Sequence, residues 1–514
     1  MTPNQLIFGK DNTERVVSVE PGTGDKCVLF VQNEAGVISQ REVPLSHWII
    51  YTEKLSPKMQ ELAGNQPYKW LMEYDNKAKF DEVLRSSRER RMDVFQVRDA
   101  KEAFMVKSGV TMYKGLKVQD VSILSFDLEH TYGIGDKLNK NGKLLLISNT
   151  YRSPNGNIVK KLFSFDKYDN EAAMLQDWVY FVQTVDPSII AGHNLFGHDF
   201  KILRHASVKT GVLLRIGRDN KELKFDHKKS FFRKDGSQAY EYHNASARGR
   251  EIVDTFFLAI KYDVARNYES YGLKAIIKHE GLEKKDRVHY DASQIIANHS
   301  NPVEWAKIKA YAIDDADDAL ALFDLMIAPF FYATQSVPRT LQHIINSASG
   351  SQINAMMVRG YLQQGHSIAK QDEAVPFEGA ISFGISGIHR NVLRFDVASL
   401  YPSVIRQYRV FNQKKDPQGL FLQMVNYFTE ERLANKKKAK ETGDRYFDDV
   451  QGSQKIMCNS MYGFLGMNRA NYNYPEGAAL VTRYGREILK QAIVWATGQE
   501  YEPTIETSEA DEVA

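Results

Sequence analysis

From about residue 120 the sequence alternates short apolar runs of strand length with a longer segment of helical spacing, which limits the fold more than any other feature. The runs VSILSFDLEH, KLLLISNTY, VKKLFSF and SIIAGHN predict strands, and EAAMLQDWVYFVQTV predicts a helix. Strands and helices mixed in this order predict an α/β core. The preceding residues, 1–115, alternate short apolar runs with turn residues and predict a β-rich domain without a chemical signature.

The rest of the chain is mainly helical in pattern. Residues 303–330 and 338–365 predict helices, and the Gly-rich passage FEGAISFGISG that follows is strand-like. A further strand, NVLRFDVASL, is predicted from residue 391. Two helices then flank the turn ETGDRY, and the last predicted helix, ALVTRYGREILKQAIVWAT, precedes an acidic tail. At about 150 residues per domain, the length predicts roughly three or four domains.

Composition excludes several classes of protein. The two cysteines, Cys27 and Cys458, lie far apart and in no metal-ligand spacing, so neither a disulfide framework nor a zinc site is predicted. No basic and apolar leader opens the sequence, and no run approaches the ~18 apolar residues of a membrane span. We therefore expect a cytoplasmic protein with no membrane partner, in the host cytoplasm if the source is viral.

Basic residues cluster beside aromatic ones at three places, 227–236, 247–250 and 435–440. Such clusters suit a nucleic-acid backbone with bases available for stacking. For each cluster taken alone, a solvated charged surface is the alternative interpretation.

Four acidic residues have the spacing of a metal-dependent phosphodiester site. Asp127 and Glu129 are two apart in a predicted strand, so both project from one side and offer oxygen ligands to Mg²⁺ or Mn²⁺. Asp199 follows in AGHNLFGHDF, and Tyr311 and Asp315 share one face of a predicted helix. Four acids can hold two metal ions, which polarise an attacking water and stabilise the leaving oxygen. Tyr311 is a candidate to orient that water.

These residues resemble the three motifs of the DEDDy-type 3′→5′ proofreading exonuclease of family B DNA polymerases. The motifs correspond to Asp127-x-Glu129, to the segment from Asn194 to Asp199, and to the segment from Tyr311 to Asp315. The family's second motif ends Phe-Asp, whereas this one ends His198-Asp199. The resemblance implies two Mg²⁺ or Mn²⁺ ions per active site. The neighbouring Asp314, Asp317 and Asp318 are expected to be surface charges.

The segment FDVASLYPSVI resembles motif A of the same family. This resemblance implies that Asp396 is a catalytic metal ligand and that Tyr401 lies beneath the incoming sugar and excludes a 2′-hydroxyl. KIMCNSMYG resembles motif B on a fingers helix, and FEGA at 377–380 resembles a loop between the exonuclease and polymerase domains, with Phe377 in place of Tyr. The implied nucleotide-binding residues are Tyr401, Arg432, Lys436, Lys455, Asn459 and Tyr462.

Motif C, Y-G-D-T-D, which supplies the second palm aspartate of the family, has no match in the sequence. Asp396 alone cannot hold two catalytic metals. We therefore expect the larger subunit of a split polymerase, acting on primer-template DNA and dNTPs and completed by a C-terminal chain that brings motif C and the thumb. Three alternatives stay open: a shortened form of a longer polymerase, a stand-alone 3′→5′ exonuclease with vestigial polymerase motifs, and a non-catalytic DNA-binding subunit.

The expected fold class is α/β and α+β, in several domains. The expected order is a β-rich N-terminal domain (1–115), a ribonuclease H-like exonuclease domain (116–335), linker helices and a loop (336–385), the first part of a palm (386–412), helical fingers (413–463), and a palm continuation with the acidic tail (464–514).

Overall fold

Two small antiparallel sheets form the N-terminal region in the computed structural model, which describes residues 1–133, 138–233, 239–373, 375–381, 387–397 and 399–498. The elements are α1 (Pro3–Phe8), β1 (Val16–Pro21), β2 (Lys26–Gln32), β3 (Ile38–Pro44), β4 (His47–Tyr51), β5 (Gln60–Glu61), β6 (Trp70–Tyr74), α2 (Lys77–Glu89), β7 (Val94–Phe95) and α3 (Ala100–Ser108). The strand orders are β1–β2–β3 and β5–β6–β4–β7. The β-rich N-terminal region is thus confirmed.

A five-stranded mixed sheet forms the centre of the next region. Its elements are β8 (Ile123–His130), β9 (Leu144–Arg152), β10 (Ile158–Ser164), α4 (Glu171–Val185), β11 (Ile189–Gly192), α5 (Asp199–Thr210), β12 (Lys224–Arg233), β13 (Ala239–Ser246), β14 (Glu251–Asp254), α6 (Thr255–Tyr262), α7 (Leu273–His279), α8 (Ile295–Asn298), α9 (Pro302–Met326) and α10 (Ala328–Thr334). The sheet order is β10–β9–β8–β11–β14. All four predicted strands form, and α4 covers the predicted helix.

The central strand β8 is held from both sides. It runs antiparallel to β9 along its length, but its parallel pairing with β11 covers only residues 123–125. Because β11 pairs no further, Asp127 and Glu129 lie beyond that parallel pairing. Helix α9 packs against β8 and β9, and Phe200 of α5 contacts Phe126 of β8. The register of β8 therefore places both carboxylates at an opening in the fold.

The strands β12 and β13 form a separate hairpin that the sequence pattern did not predict. Most residues of β12 are exposed and polar, so the strand lacks the alternation that marks a half-buried strand. The buried Phe232 anchors the hairpin by stacking on Phe257 of α6, with ring centroids 4.3 Å apart and planes at 3°.

Helices form the remainder of the described chain: α11 (Leu341–Asn346), α12 (Ser349–Gln363), α13 (Leu400–Gln407), α14 (Leu420–Thr442), α15 (Arg445–Leu465) and α16 (Pro475–Thr497). The predicted pair α14 and α15 is confirmed. It contacts the preceding region through the rings of Tyr446 and Tyr332, whose centroids lie 5.6 Å apart. None of the helices in the described ranges has the length and apolar character needed to cross a membrane.

The strand predicted from residue 391 is wrong for residues 391–397, which are exposed and carry no strand. Within the described ranges no strand lies beside them, so no ladder of hydrogen bonds forms. Residues 377–381 likewise form no strand, and 382–386 lie outside the described residues. The acidic tail from residue 499 also lies outside them.

Candidate active site

Three carboxylates from two elements meet above the central sheet. Asp127 and Glu129 of β8 and Asp315 of α9 each offer a ligand oxygen within 4.8 Å of the other two. Asp315 is buried, whereas the two β8 residues are half-buried. The cluster therefore has a protein side and an open side.

The charges of the cluster repel one another. Burial, followed by the carboxylates of Glu129, Asp315 and Asp199, raises the pKa of Asp127 well above its usual range, and Lys274 opposes the shift. Burial and the Asp315 carboxylate raise the pKa of Glu129 to about 8, again against Lys274. Like charges held together out of water favour protonation, and a bound cation removes that preference.

Asp199, the first residue of α5, interacts electrostatically with Asp127 and Glu129 of the cluster. It is buried, and burial followed by the charge of Asp254 raises its pKa well above the usual range. Its Oδ1 is fully buried and has no hydrogen-bond partner among the residues that the structure describes. Buried polar oxygens are almost always paired, so this atom points to an absent ligand.

The loop before Asp199 is fixed by Asp254, which the sequence analysis missed. The Asp254 carboxylate accepts hydrogen bonds from the backbone N–H groups of Asn194 (2.7 Å), Phe196 (3.1 Å) and Phe256 (3.0 Å). Asn194 has a positive φ of 63°, which a non-glycine residue adopts only where its surroundings hold it. The local signal for Asp254 is an N-cap position before an apolar helix, which indicates a helix start and no site role.

The residues present fit a divalent cation. Hard cations such as Mg²⁺ and Mn²⁺ take carboxylate oxygens, and all four acids bring such oxygens. The unpaired Oδ1 of Asp199 and the raised pKa values of Asp127 and Glu129 are both accounted for by a positive ion between them.

A hydrogen-bonded chain reaches the cluster through Tyr311. Lys274 of α7 donates from Nζ to the Tyr311 hydroxyl oxygen at 2.5 Å, and that hydroxyl is hydrogen-bonded to Asp315. The Lys274 ammonium also lies 4.2 Å from the centroid of the Tyr311 ring. Lys274 was missed because one lysine at the start of a short helix carries no distinctive spacing.

The expectation that Asp317 and Asp318 are surface charges is wrong. Asp318 is buried and accepts from Arg287, while Asp317 is buried and pairs with Lys160 and Lys284. The acids at positions 314, 315, 317 and 318 of α9 project in too many directions to share the solvent-exposed side of the helix, so some of them face the interior. Each inward acid then needs a buried cation or donor.

Asp314 is half-buried and accepts from the backbone N–H of Val288 at 2.9 Å. It too is therefore engaged by the loop before α8.

The residues implied for nucleotide binding lie around α13, α14 and α15. Arg432 donates from Nη1 to the Ser399 hydroxyl at 2.6 Å, and its Nε is buried without a hydrogen-bond partner within the described ranges. The rings of Tyr401 and Tyr462 lie 4.4 Å apart between centroids. Three side chains remain exposed on the two long helices, those of Lys436, Lys455 and Asn459.

Asp396 stands apart from this group. It is exposed in the segment that forms no strand, and it belongs to no group of three or more potential metal ligands in the described ranges. The two predicted sites thus differ: Asp127, Glu129 and Asp315 lie together and Asp199 interacts electrostatically with Asp127 and Glu129, whereas Asp396 joins no such group among the described residues.

The three basic clusters have different surroundings. In the 227–236 cluster most of residues 227–233 are exposed and residues 234–236 lie outside the described ranges, and in the third cluster Lys436, Lys437, Lys438 and Lys440 are exposed. In the 247–250 cluster, by contrast, Arg250 is buried and pairs with Asp186, and Arg248 pairs with Asp219. The 247–250 cluster therefore stabilises the fold, and its assignment to nucleic acid is wrong.

Comparison with known proteins agrees with the resemblance seen in the motifs. Residues 106–276 match the sequence profile described as DNA polymerase family B, exonuclease domain, and residues 406–511 match that of DNA polymerase family B. The chain is 24% identical over 424 residues to DNA polymerase 1 of Pyrococcus abyssi, covering 75% of this chain and 52% of that protein. It is 23% identical over 429 residues to a DNA polymerase of Thermococcus gorgonarius, covering 76% and 52%.

The fold agrees as well. The family B DNA polymerase from Pyrobaculum calidifontis superposes with a TM-score of 0.75 at 18% identity, over 94% of this chain and 71% of that one. The chain spans about half the length of the curated relatives it matches. With two family profiles, archaeal relatives and the shared fold in agreement, the chain belongs to DNA polymerase family B.

Proposed function

We propose that this chain is part of a DNA-directed DNA polymerase and that residues 116–335 act as its 3′→5′ exonuclease. The observation that carries the proposal is the convergence of Asp127, Glu129 and Asp315 within 4.8 Å, together with Asp199, which interacts electrostatically with Asp127 and Glu129 and whose buried Oδ1 has no hydrogen-bond partner among the described residues. A cluster of this kind suits divalent metals and the phosphodiester of a DNA 3′ end.

Each side chain has a distinct part in the proposed reaction. The four acids would hold two Mg²⁺ or Mn²⁺ ions, which would supply activation of a water and stabilisation of the leaving 3′ oxygen. Tyr311 orients the attacking water through its hydroxyl, and Lys274 holds that hydroxyl in place. Asp254 fixes the backbone before Asp199, so that this acid reaches the cluster from α5.

Replacing two metal ligands tests the exonuclease directly. The variant Asp127→Ala/Glu129→Ala should degrade single-stranded DNA at least a thousandfold more slowly, because one side of the metal site is gone. Removal of a single electrostatic group at an active site already costs about 10²–10³ in rate. The measurement is release of mononucleotides from a 3′-labelled oligonucleotide with Mg²⁺ or Mn²⁺.

The matched control is Asp25→Ala/Glu34→Ala, which removes two exposed acids from the N-terminal region. This control should digest DNA as the wild type does. Equal rates in the wild type and in the Asp127→Ala/Glu129→Ala variant would refute the assignment.

Residues 386–498 support nucleotide addition in the same proposal. Arg432, Lys436 and Lys455 would neutralise the triphosphate, and the buried, unpaired Nε of Arg432 indicates a missing acceptor. Tyr401, held against Tyr462, would lie beneath the sugar of the incoming dNTP. Asp396 would hold a catalytic metal.

A second palm carboxylate must come from outside residues 1–514, because Asp396 is the only palm acid with a motif match. The source would be a separate C-terminal chain with motif C and the thumb, or further polypeptide of the same chain. The exposed apolar side chains of Val392, Leu393 and Phe395 support this part of the proposal, because a palm strand buries such side chains once it is paired.

A further inference from the structure

We propose that Arg287 is a positioning residue of the exonuclease site, which orients Asp315 toward the metal and keeps Asp318 away from it. The inference rests on the proposed exonuclease function and extends it to a residue that no motif contains. Arg287 lies in the loop between α7 and α8, so its link to the acids of α9 is purely tertiary.

The Arg287 guanidinium is enclosed and directed at two acids. Its side chain is 1% exposed; Nη2 donates to Asp315 Oδ1 at 2.5 Å and Nε donates to Asp318 Oδ2 at 2.7 Å. A third donor, Nη1, bonds the carbonyl oxygen of Val288 at 3.1 Å, which fixes the plane of the group. The planar guanidinium therefore sets the relative orientation of the two carboxylates.

The bond to Asp315 restricts how this acid can bind a cation. Oδ1 accepts from Arg287, and the carboxylate is also hydrogen-bonded to the Tyr311 hydroxyl. Together these bonds restrict rotation of the Asp315 carboxylate, one oxygen of which lies within 4.8 Å of ligand oxygens of Asp127 and Glu129. Charge-assisted hydrogen bonds to a carboxylate hold it far better than packing alone, and catalytic groups need placement within a fraction of an ångström.

The bond to Asp318 serves a second purpose. Asp318 lies three residues after Asp315 on α9, so the two side chains are neighbours on the helix surface. Burial raises the pKa of Asp318, the Arg287 guanidinium opposes that shift, and the charge of Asp315 adds to it. Without the guanidinium, a buried and unpaired carboxylate would be left beside a metal site, where it could capture the ion.

A purely structural ion triad is the competing explanation, because breaking any buried pair is destabilising. The two explanations differ in their effect on the metal. Loss of a structural triad weakens the whole site, so metal affinity and rate fall together with stability. Loss of a positioning residue removes positive charge and frees Asp318, so metal affinity rises while the rate falls.

The experiment measures Mn²⁺ binding without DNA by calorimetry, exonuclease kcat at saturating Mn²⁺, and the melting temperature of each variant. Arg287→Gln should bind Mn²⁺ at least threefold more tightly and lower kcat at least tenfold. Arg287→Lys keeps the positive charge but loses the planar guanidinium, and should have near wild-type Mn²⁺ affinity with an intermediate kcat. Arg287→Gln/Asp318→Asn removes the competing acid and should return Mn²⁺ affinity toward wild type while kcat stays low.

The matched control is Arg218→Gln, which removes another buried arginine paired with an acid, Asp186, outside the cluster. It should lower the melting temperature without changing Mn²⁺ affinity. The proposal is overturned if Arg287→Gln loses affinity and rate together, or if the double variant regains the wild-type rate. Wild-type protein that binds Mn²⁺ but digests no DNA would refute the exonuclease instead, and unchanged Mn²⁺ affinity in Arg287→Gln would then still refute the role of Arg287.

Discussion

At the scale of single residues, the contact between Lys274 and Tyr311 makes a prediction for the rate of DNA digestion. Lys274→Met should lower exonuclease kcat about 10- to 100-fold, which is less than the roughly 10²–10⁴-fold that a positioned acid–base group contributes, because Lys274 acts through Tyr311. The reason is that the Tyr311 hydroxyl loses its 2.5 Å donor and the cluster loses a nearby positive charge. Single-turnover digestion of a labelled oligonucleotide measures the change.

Lys278→Met is the control, because Lys278 lies one turn further along α7 and is exposed. Its rate should match the wild type. Equal losses in the two variants would show that charge on α7 matters only for general attraction of DNA.

Sequence alone predicted the residues whose chemistry shows as a local pattern. Asp127 and Glu129 are two residues apart on one strand and so project from the same side, and Tyr311 and Asp315 share a helix face. The spacing within each pair therefore predicts that its two side chains lie together. Arg287 and Lys274 could not be predicted, because they reach α9 from a loop and from α7, and only the folded chain brings them there. Asp317 and Asp318 were misassigned for the same reason, since the basic side chains that pair with them come from other parts of the chain.

At the scale of elements, the exposed hairpin of β12 and β13 predicts a contribution to DNA binding. Lys224→Ala/Lys228→Ala should weaken binding of single-stranded DNA and reduce its salt dependence by about 0.7 in log–log slope for each phosphate that the variant no longer neutralises. Both lysines are exposed on β12, which the Phe232–Phe257 stack holds in place. Fluorescence anisotropy at several salt concentrations measures the slope.

Lys58→Ala/Lys79→Ala removes the same charge from exposed positions of the N-terminal region and serves as the control. Its slope should stay at the wild-type value. An unchanged salt-dependence slope in Lys224→Ala/Lys228→Ala would show that these two lysines form a solvated surface that does not contact DNA.

Strands and helices were predictable where a single hydrophobic pattern in the sequence indicated them. Four strands of the central sheet, β8 to β11, begin or end in apolar runs and α4 has clear helical spacing, so these elements formed near their predicted bounds, whereas the four-residue β14 was not predicted. The hairpin lacked such a pattern because it packs on the fold through few side chains, chiefly Phe232. The segment 391–397 had the strand pattern but no neighbouring strand in the described ranges, and a strand requires a partner for its backbone.

At the scale of the whole molecule, the helical pair α14 and α15 connects the two proposed sites. Arg445 at the start of α15 donates to the carbonyl oxygen of Asp324 near the end of α9, at 3.1 Å. Helix α9 also carries Tyr311 and Asp315. Arg432 and Lys436 lie on α14, and Lys455 lies on α15. The helices proposed to bind the nucleotide are therefore packed directly on the region that contains the proposed exonuclease cluster.

The last prediction concerns primer extension by residues 1–514. In an Asp127→Ala/Glu129→Ala background, so that degradation cannot mask synthesis, this chain should bind dNTP through α14 and α15 but extend no primer. Addition of a C-terminal polypeptide that carries motif C and the thumb should restore extension, since two-metal transfer needs a second carboxylate opposite Asp396. Lys455→Ala should abolish the dNTP binding and the restored extension together. Robust extension by residues 1–514 alone would mean that an acid already present in this chain completes the palm site, and Asp396 would then have a partner that no motif marks.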